Sequence, residues 1–135
     1  MTTVVAFGTF DVLHPGHLSY LAQARKFGTM LLVVVARDAS VERIKGAAPL
    51  YSEKERLLII KALRVVDEAR LGNLDDHFSI LGKIKPDVVC LGYDHVVTAQ
   101  ILLQFCKERG IKRPRIVRAR AYRPERYKSH ILKAK

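Results

Sequence analysis

The chain has 135 residues, 49% of them hydrophobic, and carries 24 Lys or Arg against 13 Asp or Glu, a formal net charge of +11. This length gives a single domain, residues 1–135, with a core that needs neither disulfides nor metals. No apolar run approaches the ~20 residues of a membrane span and no basic, cleavable leader opens the chain, which predicts a cytoplasmic protein without membrane partners.

Val4 to Phe7 reads as a short buried strand, and Gly8-Thr9-Phe10-Asp11 as the loop leaving its carboxyl end. Pro15 suits the first position of a helix, where its missing N–H costs nothing, so His14 falls at the cap with Gly16 and His17 in the first turn. Residues three apart there face one point in space. His14 and His17 are thus expected to converge where unpaired backbone N–H groups favour an anion. Leu18, Leu21, Ala22 and Ala24 form an apolar stripe, and Gly28 is expected to cap the helix C-terminus.

Met30 to Ala36 is a valine-rich strand buried on both faces, with Arg37 and Asp38 at its carboxyl end. A short helix over Ala39 to Ile44 leads to Lys45-Gly46 and a loop to Tyr51. Ser52 and Glu55 make a capping box for the next helix, whose apolar surface is Leu57, Leu58, Ile59, Ile60, Ala62 and Leu63, with Lys61 facing solvent. Val65 to Leu71 is a third strand broken by Asp67 and Glu68, and a helix starting at Asp75 or Asp76 runs through Ile84 to the stop at Pro86. Val88 to Leu91 is a fourth strand entering Gly92-Tyr93-Asp94-His95. Thr98 caps a helix carrying Ile101, Leu102 and Phe105 inward, Gly110 ends it, Arg115 to Arg118 is a fifth strand, and Tyr127 to Ala134 a terminal helix. Cys90 and Cys106 read as buried thiols.

Five alternations of strand and helix call for a doubly wound parallel sheet in the order 3-2-1-4-5. In that order strands one and four are neighbours whose connections leave in opposite directions, opening a crevice between Gly8–Gly16 and Gly92–His95. The spacing H-x-G-H behind G-T-F-D on a strand-to-helix turn resembles the signature of the nucleotidyltransferase superfamily. Gly8, Thr9, Phe10, Asp11, His14, Gly16 and His17 match its pattern.

Within that superfamily, VVVARDASVERIKG and YSEKERLLIIKALRVVDEARLG look most like archaeal stand-alone FAD synthases. The resemblance implies a Rossmann-like nucleotidyltransferase fold and transfer of AMP from ATP to FMN with release of pyrophosphate. It implies His14, His17 and Lys45 as catalytic residues. Nucleotide contacts are implied at Thr9, Phe10, Gly92, Asp94, Arg56, Arg123, Lys128 and Ser129, and acceptor contacts at Gly8, Asp11 and Asp38. Asp11 has a plainer alternative, orienting its loop by accepting backbone N–H groups. Mg²⁺ is expected on the phosphates, since it keeps most of its waters and needs few protein ligands, and relatives lead one to expect a homodimer.

Three other readings stand beside this one. Glycerol-3-phosphate cytidylyltransferase has the same fold and mechanism. A basic RNA-binding module would account for the surplus charge, because residues 111–135 hold ten basic residues and one acidic, net +9, whereas residues 1–110 are only net +2. Aromatic interleaving there is limited to Tyr122 and Tyr127, which makes nucleic acid the weaker alternative. A zinc hydrolase on His14 and His17 lacks a third ligand at recognisable spacing.

Overall fold

β-Branched and leucine-rich runs, each buried along its length, form the centre of the protein. In the computed structural model, which describes residues 1–74 and 78–122, these runs are β1 (Thr3–Gly8), β2 (Met30–Val35) and β4 (Val88–Leu91), with β3 (Glu68–Leu71) and β5 (Arg115–Arg118) at the edges. All pairings are parallel and the order is β3-β2-β1-β4-β5, as the alternation predicts. The helices are α1 (Pro15–Arg25), α2 (Asp38–Lys45), α3 (Glu53–Lys61), α4 (Leu81–Ile84) and α5 (Ala99–Glu108).

Side chains alternate across the sheet, so each strand feeds two cores. Val4, Ala6, Leu31, Val33 and Cys90 meet Leu21 and Ala24 of α1 and Ile60 of α3 on one face. Val5, Phe7, Leu32, Val34 and Val89 meet Leu81 of α4 and Leu102 and Cys106 of α5 on the other. The two thiols are buried on opposite faces, both unpaired, and burial pushes Cys90 up to about 11.

Several expected details differ. The buried face of α1 is Tyr20, Leu21 and Ala24, whereas Leu18 is 43% exposed and Ala22 is exposed. Gly28 does not cap α1: the cap is Lys26 in ordinary helical conformation. Its glycine is required by packing, because a Cβ there would lie 2.5 Å from the Thr2 carbonyl oxygen. On α3 the inward residues are Arg56 and Ile60, leaving Leu58 70% exposed and Ile59 and Ala62 at the surface. Strand β3 begins only at Glu68, because Asp67 turns its carboxylate onto the Leu31 amide (2.7 Å). Helix α4 is a single turn at Leu81–Ile84, and its expected start at Asp75 or Asp76 lies outside the described residues. On α5, Leu102 and Cys106 are buried and Ile101 faces solvent at 61% exposure. Helix α2 runs one residue further than expected at each end and stops at Gly46, whose φ of 78° suits glycine. The proposed terminal helix lies outside the described residues.

Candidate active site

The carboxyl ends of β1 and β4 open onto a cavity of about 760 Å³, in the range of small-molecule sites. Its walls include Gly8, Thr9, Phe10, Asp11, His14, Gly16 and His17 from the first loop and Gly92 to Val97 from the fourth strand's exit, with Lys45 across from them. The crevice expected from the switch in winding direction is therefore where the signature lies.

The histidine spacing has a local cause. His14 is the N-cap of α1, with extended backbone, and Pro15 follows at the first helical position. The Gly16 N–H donates to His14 Nδ1 (3.1 Å) while the His14 N–H donates to His17 Nδ1 (3.2 Å). This is a capping box made of two imidazoles rather than Ser and Glu. The rings stack at 3.8 Å between centroids, 25° apart. Because each Nδ1 accepts a hydrogen, the proton of each neutral ring sits on Nε2, and both rings present an Nε2–H donor.

Both rings stay neutral. Burial holds His17 down at about 3, with His14 and Lys45 adding repulsion toward a second positive charge. His14 is also lowered by burial, with Asp94 partly opposing. The expectation of free helix amides is corrected here. Gly16 N–H is taken by His14 Nδ1, and the amides of His17 (2.9 Å) and Leu18 (3.3 Å) donate to the His14 carbonyl. What the turn offers an anion is the pair of Nε2–H groups together with the helix dipole.

Phe10 supports this corner from below. It is buried at positive φ (53°), its ring stands edge-on to His17 at 5.4 Å, and it packs so closely under Gly8 that a Cβ there would lie 2.5 Å from the ring. Asp11 takes the plainer of its two expected roles. Its carboxylate accepts the Leu50 and Tyr51 amides (both 2.9 Å), tying the signature loop to the approach of α3.

Arg56 does not reach the crevice. It is 0% exposed and its guanidinium donates to the carbonyls of Tyr51 (3.0 Å) and Thr9 (2.8 Å) and to the Asp38 carboxylate (2.7 Å). Asp38 is thereby committed to Arg56 and does not line the cavity. The expected nucleotide contact at Arg56 and acceptor contact at Asp38 are instead an internal clasp behind the first lip. Lys45, exposed at the end of α2, and Asp94, exposed beyond β4, do line the cavity. Arg123, Lys128 and Ser129 lie outside the described residues.

Three contributors were not singled out from the sequence. Arg118, from β5, donates to the carbonyls of Gly92 (2.8 Å), His95 (2.9 Å) and Val97 (2.6 Å), holding the second lip much as Arg56 holds the first. Tyr20 and His95 face each other edge-on at 5.8 Å beneath the crevice. For Tyr20 a signal existed, since it lies one turn after His17 on the helix face that meets the sheet.

A family model described as cytidylyltransferase-like matches residues 5–135. A FAD synthase of Methanohalophilus mahii is 49% identical over 110 residues, 82% of this chain and 76% of that protein. A FAD synthase of Aciduliprofundum boonei is 43% identical over 122 residues, 90% of this chain and 80% of that one. Among solved structures, a Thermoplasma volcanium protein described as a lipopolysaccharide core biosynthesis protein superposes with a TM-score of 0.85 at 41% identity, covering 90% of this chain and 98% of its own. A protein with unknown function from Archaeoglobus fulgidus, at 17% identity and a TM-score of 0.71, shares the fold.

Proposed function

The chain belongs to the cytidylyltransferase-like family, and from that premise we propose that it is an FAD synthase, joining AMP from ATP to FMN and releasing pyrophosphate. The observation that carries the chemistry is the stacked pair of neutral imidazoles with both Nδ1 atoms occupied, which puts the proton of each ring on Nε2. Four archaeal relatives named FAD synthase, 43–49% identical to this chain, carry the choice of substrates.

In this reading the triphosphate of ATP lies on the N-terminus of α1. A phosphate oxygen of FMN attacks the α-phosphorus in line and forms the new P–O bond, while the bond from that phosphorus to the bridging oxygen breaks and pyrophosphate leaves with the electron pair. Nε2–H of His14 and of His17 donate to the oxygens on which charge builds. Neutral donors suit this role, since they need neither gain nor lose a proton during transfer. The FMN phosphate is already ionised near neutral pH, so no general base is required. Lys45 meets the departing pyrophosphate, Asp94 accepts from the ribose hydroxyls, and Thr9, Phe10 and Gly92 border the nucleotide. Gly8 leaves room for the acceptor, with Asp11 fixing the loop.

Mg²⁺ travelling with ATP would neutralise its phosphates. The donors at the crevice fit such a substrate-borne ion: the imidazoles present N–H groups, the Asp11 carboxylate is occupied by amides, and among the described lining residues Asp94 alone offers an exposed carboxylate. The cavity also has apolar and aromatic walls, including Phe78, Tyr93, Val97 and Tyr122, which suit an isoalloxazine and adenine better than a three-carbon phosphate. No helix among the described residues is long and apolar enough to cross a membrane, and a cytoplasmic setting forms part of the reading. So does pairing of two copies through the exposed Leu58 and Ile59 of α3, which sedimentation would check.

A pyrophosphate-release assay crossing ATP and CTP with FMN and glycerol 3-phosphate tests the proposal. Turnover is expected only with ATP and FMN. Turnover confined to CTP and glycerol 3-phosphate overturns it, and salt-steep RNA binding without turnover would return the chain to the class of basic binding modules.

A further inference from the structure

The seam between β1 and β4 stops short. Their pairing ends at Ala6↔Cys90, whereas on its other side β1 stays paired with β2 as far as Gly8↔Val35. A continued parallel ladder would next join the Phe7 N–H to the Cys90 carbonyl and then the Gly92 N–H to the Phe7 carbonyl. Both donors have been diverted. The Phe7 N–H donates to the Tyr20 hydroxyl oxygen (3.1 Å), and that hydroxyl donates to the Cys90 carbonyl (2.5 Å). The Gly92 N–H donates to His95 Nδ1 (3.0 Å). Two hydrogen bonds in series replace one direct rung, which holds the backbones roughly 2 Å farther apart at this point. The Tyr20 and His95 rings meet edge-on, filling the widened seam.

We infer that Tyr20 and His95 form a wedge that holds β1 and β4 apart and so sets the span between the crevice's two lips. On one lip are His14 and His17, on the other Asp94. The inference rests on the reading that a nucleoside triphosphate bridges them, with phosphates at the imidazoles and sugar at Asp94. Tyr20 touches no reacting atom in this account and is a positioning residue. It sits on the same helix face as His17, so one element both presents the donors and fixes their distance from the opposite lip. Tyr20 is buried, and burial keeps its hydroxyl protonated, so the bridge persists at any pH the enzyme tolerates.

Removing the hydroxyl takes the bridging partner from the buried Phe7 amide and Cys90 carbonyl and lets the two close on each other, as in a continued ladder. Closure draws the lips together. A ligand that touches both should feel this, and a ligand that touches one should not.

The test is Tyr20→Phe, with ATP, adenosine and inorganic pyrophosphate titrated separately by calorimetry on the folded protein well below its Tm, alongside kcat. The expected result is at least about tenfold weaker ATP binding and about 10²-fold lower kcat, the cost of misplacing reacting groups by about 1 Å. Pyrophosphate and adenosine affinities should stay within about twofold of wild type. A hydroxyl that serves stability alone would lower the Tm and leave ATP affinity and kcat intact, which overturns the wedge. Uniform weakening of all three ligands also overturns it. If Tyr20→Phe does not fold, His95→Ala decides between the same outcomes, because it frees the Gly92 amide of the second lip to close on the Phe7 carbonyl. Wild-type protein that fails to bind ATP would refute the bridging reading itself, a result visible before any variant is made.

Discussion

Protonation of His17 links the site's chemistry to the protein's stability, and the sign of that link follows from the structure. The ring is held at about 3 when folded, against 6.5 for an unperturbed imidazole. Between those values the unfolded chain binds a proton that the folded one refuses, so stability rises with pH through this window and is lost as pH falls. Each unit well inside the window is worth about 1.4 kcal/mol, so lowering the pH from 7 to 5 removes about 2 kcal/mol through His17.

His17→Gln isolates the effect. Gln at this position can still reach back to the cap amide, as in an ordinary capping box, but it does not titrate. Urea unfolding of both proteins at pH 7 and pH 5 should show wild type losing about 2 kcal/mol more than the variant. The His17 Cε1–H resonance, followed by NMR, should not titrate between pH 8 and 5. Parallel pH dependences of the two stabilities, or an NMR midpoint at or above 6.5, would refute the neutral-donor account. The catalytic counterpart is a kcat that shows no imidazole deprotonation step between pH 6 and 8, whereas a cationic imidazole would cost activity across that interval.

Replacing His17 with Ala should lower kcat by about 10²–10³-fold, as removal of one preorganised donor does, and steady-state kinetics with the fold checked by circular dichroism would measure it. Gly8→Ala should destabilise by about 1–3 kcal/mol in urea titrations, because the added methyl meets the Phe10 ring, itself held by a positive φ. Arg56→Met should cost about 1–3 kcal/mol of unfolding free energy, chiefly by leaving the Tyr51 and Thr9 carbonyls without their donor, since the Asp38 carboxylate is partly exposed and can be hydrated. Lys45→Ala should raise the KM for ATP and shift His17 upward by NMR, since Lys45 is one of the charges that disfavour its protonation.

What the sequence made legible was whatever depends on local chemistry. Pro15 fixes the first helical position and thereby His14 at the cap and His17 three residues on, and the valine runs at β2 and β4 fix the interior of a parallel sheet. Order 3-2-1-4-5 then places the crevice. What stayed hidden depends on distant partners. Arg56, a nucleotide contact by resemblance, turns inward instead, and nothing near it in the chain shows that Thr9 and Asp38 will enclose its guanidinium. On α1 and α3 the expected Leu21, Ala24 and Ile60 do face inward, but Tyr20 and Arg56 join them while Leu18 and Leu58 face solvent. An apolar count gives no weight to a tyrosine hydroxyl or a guanidinium that has a partner waiting. The amides of α1 looked available for an anion until the histidines turned out to occupy them.

The grip of Arg118 on the second lip falls entirely on main-chain carbonyls, those of Gly92, His95 and Val97. Main-chain oxygens are the same whatever residue bears them. The exposed side chains at 94 and 96 are therefore open to exchange without loosening the loop that displays them, and an enzyme built this way could be retuned to a new ligand one substitution at a time, its scaffold untouched.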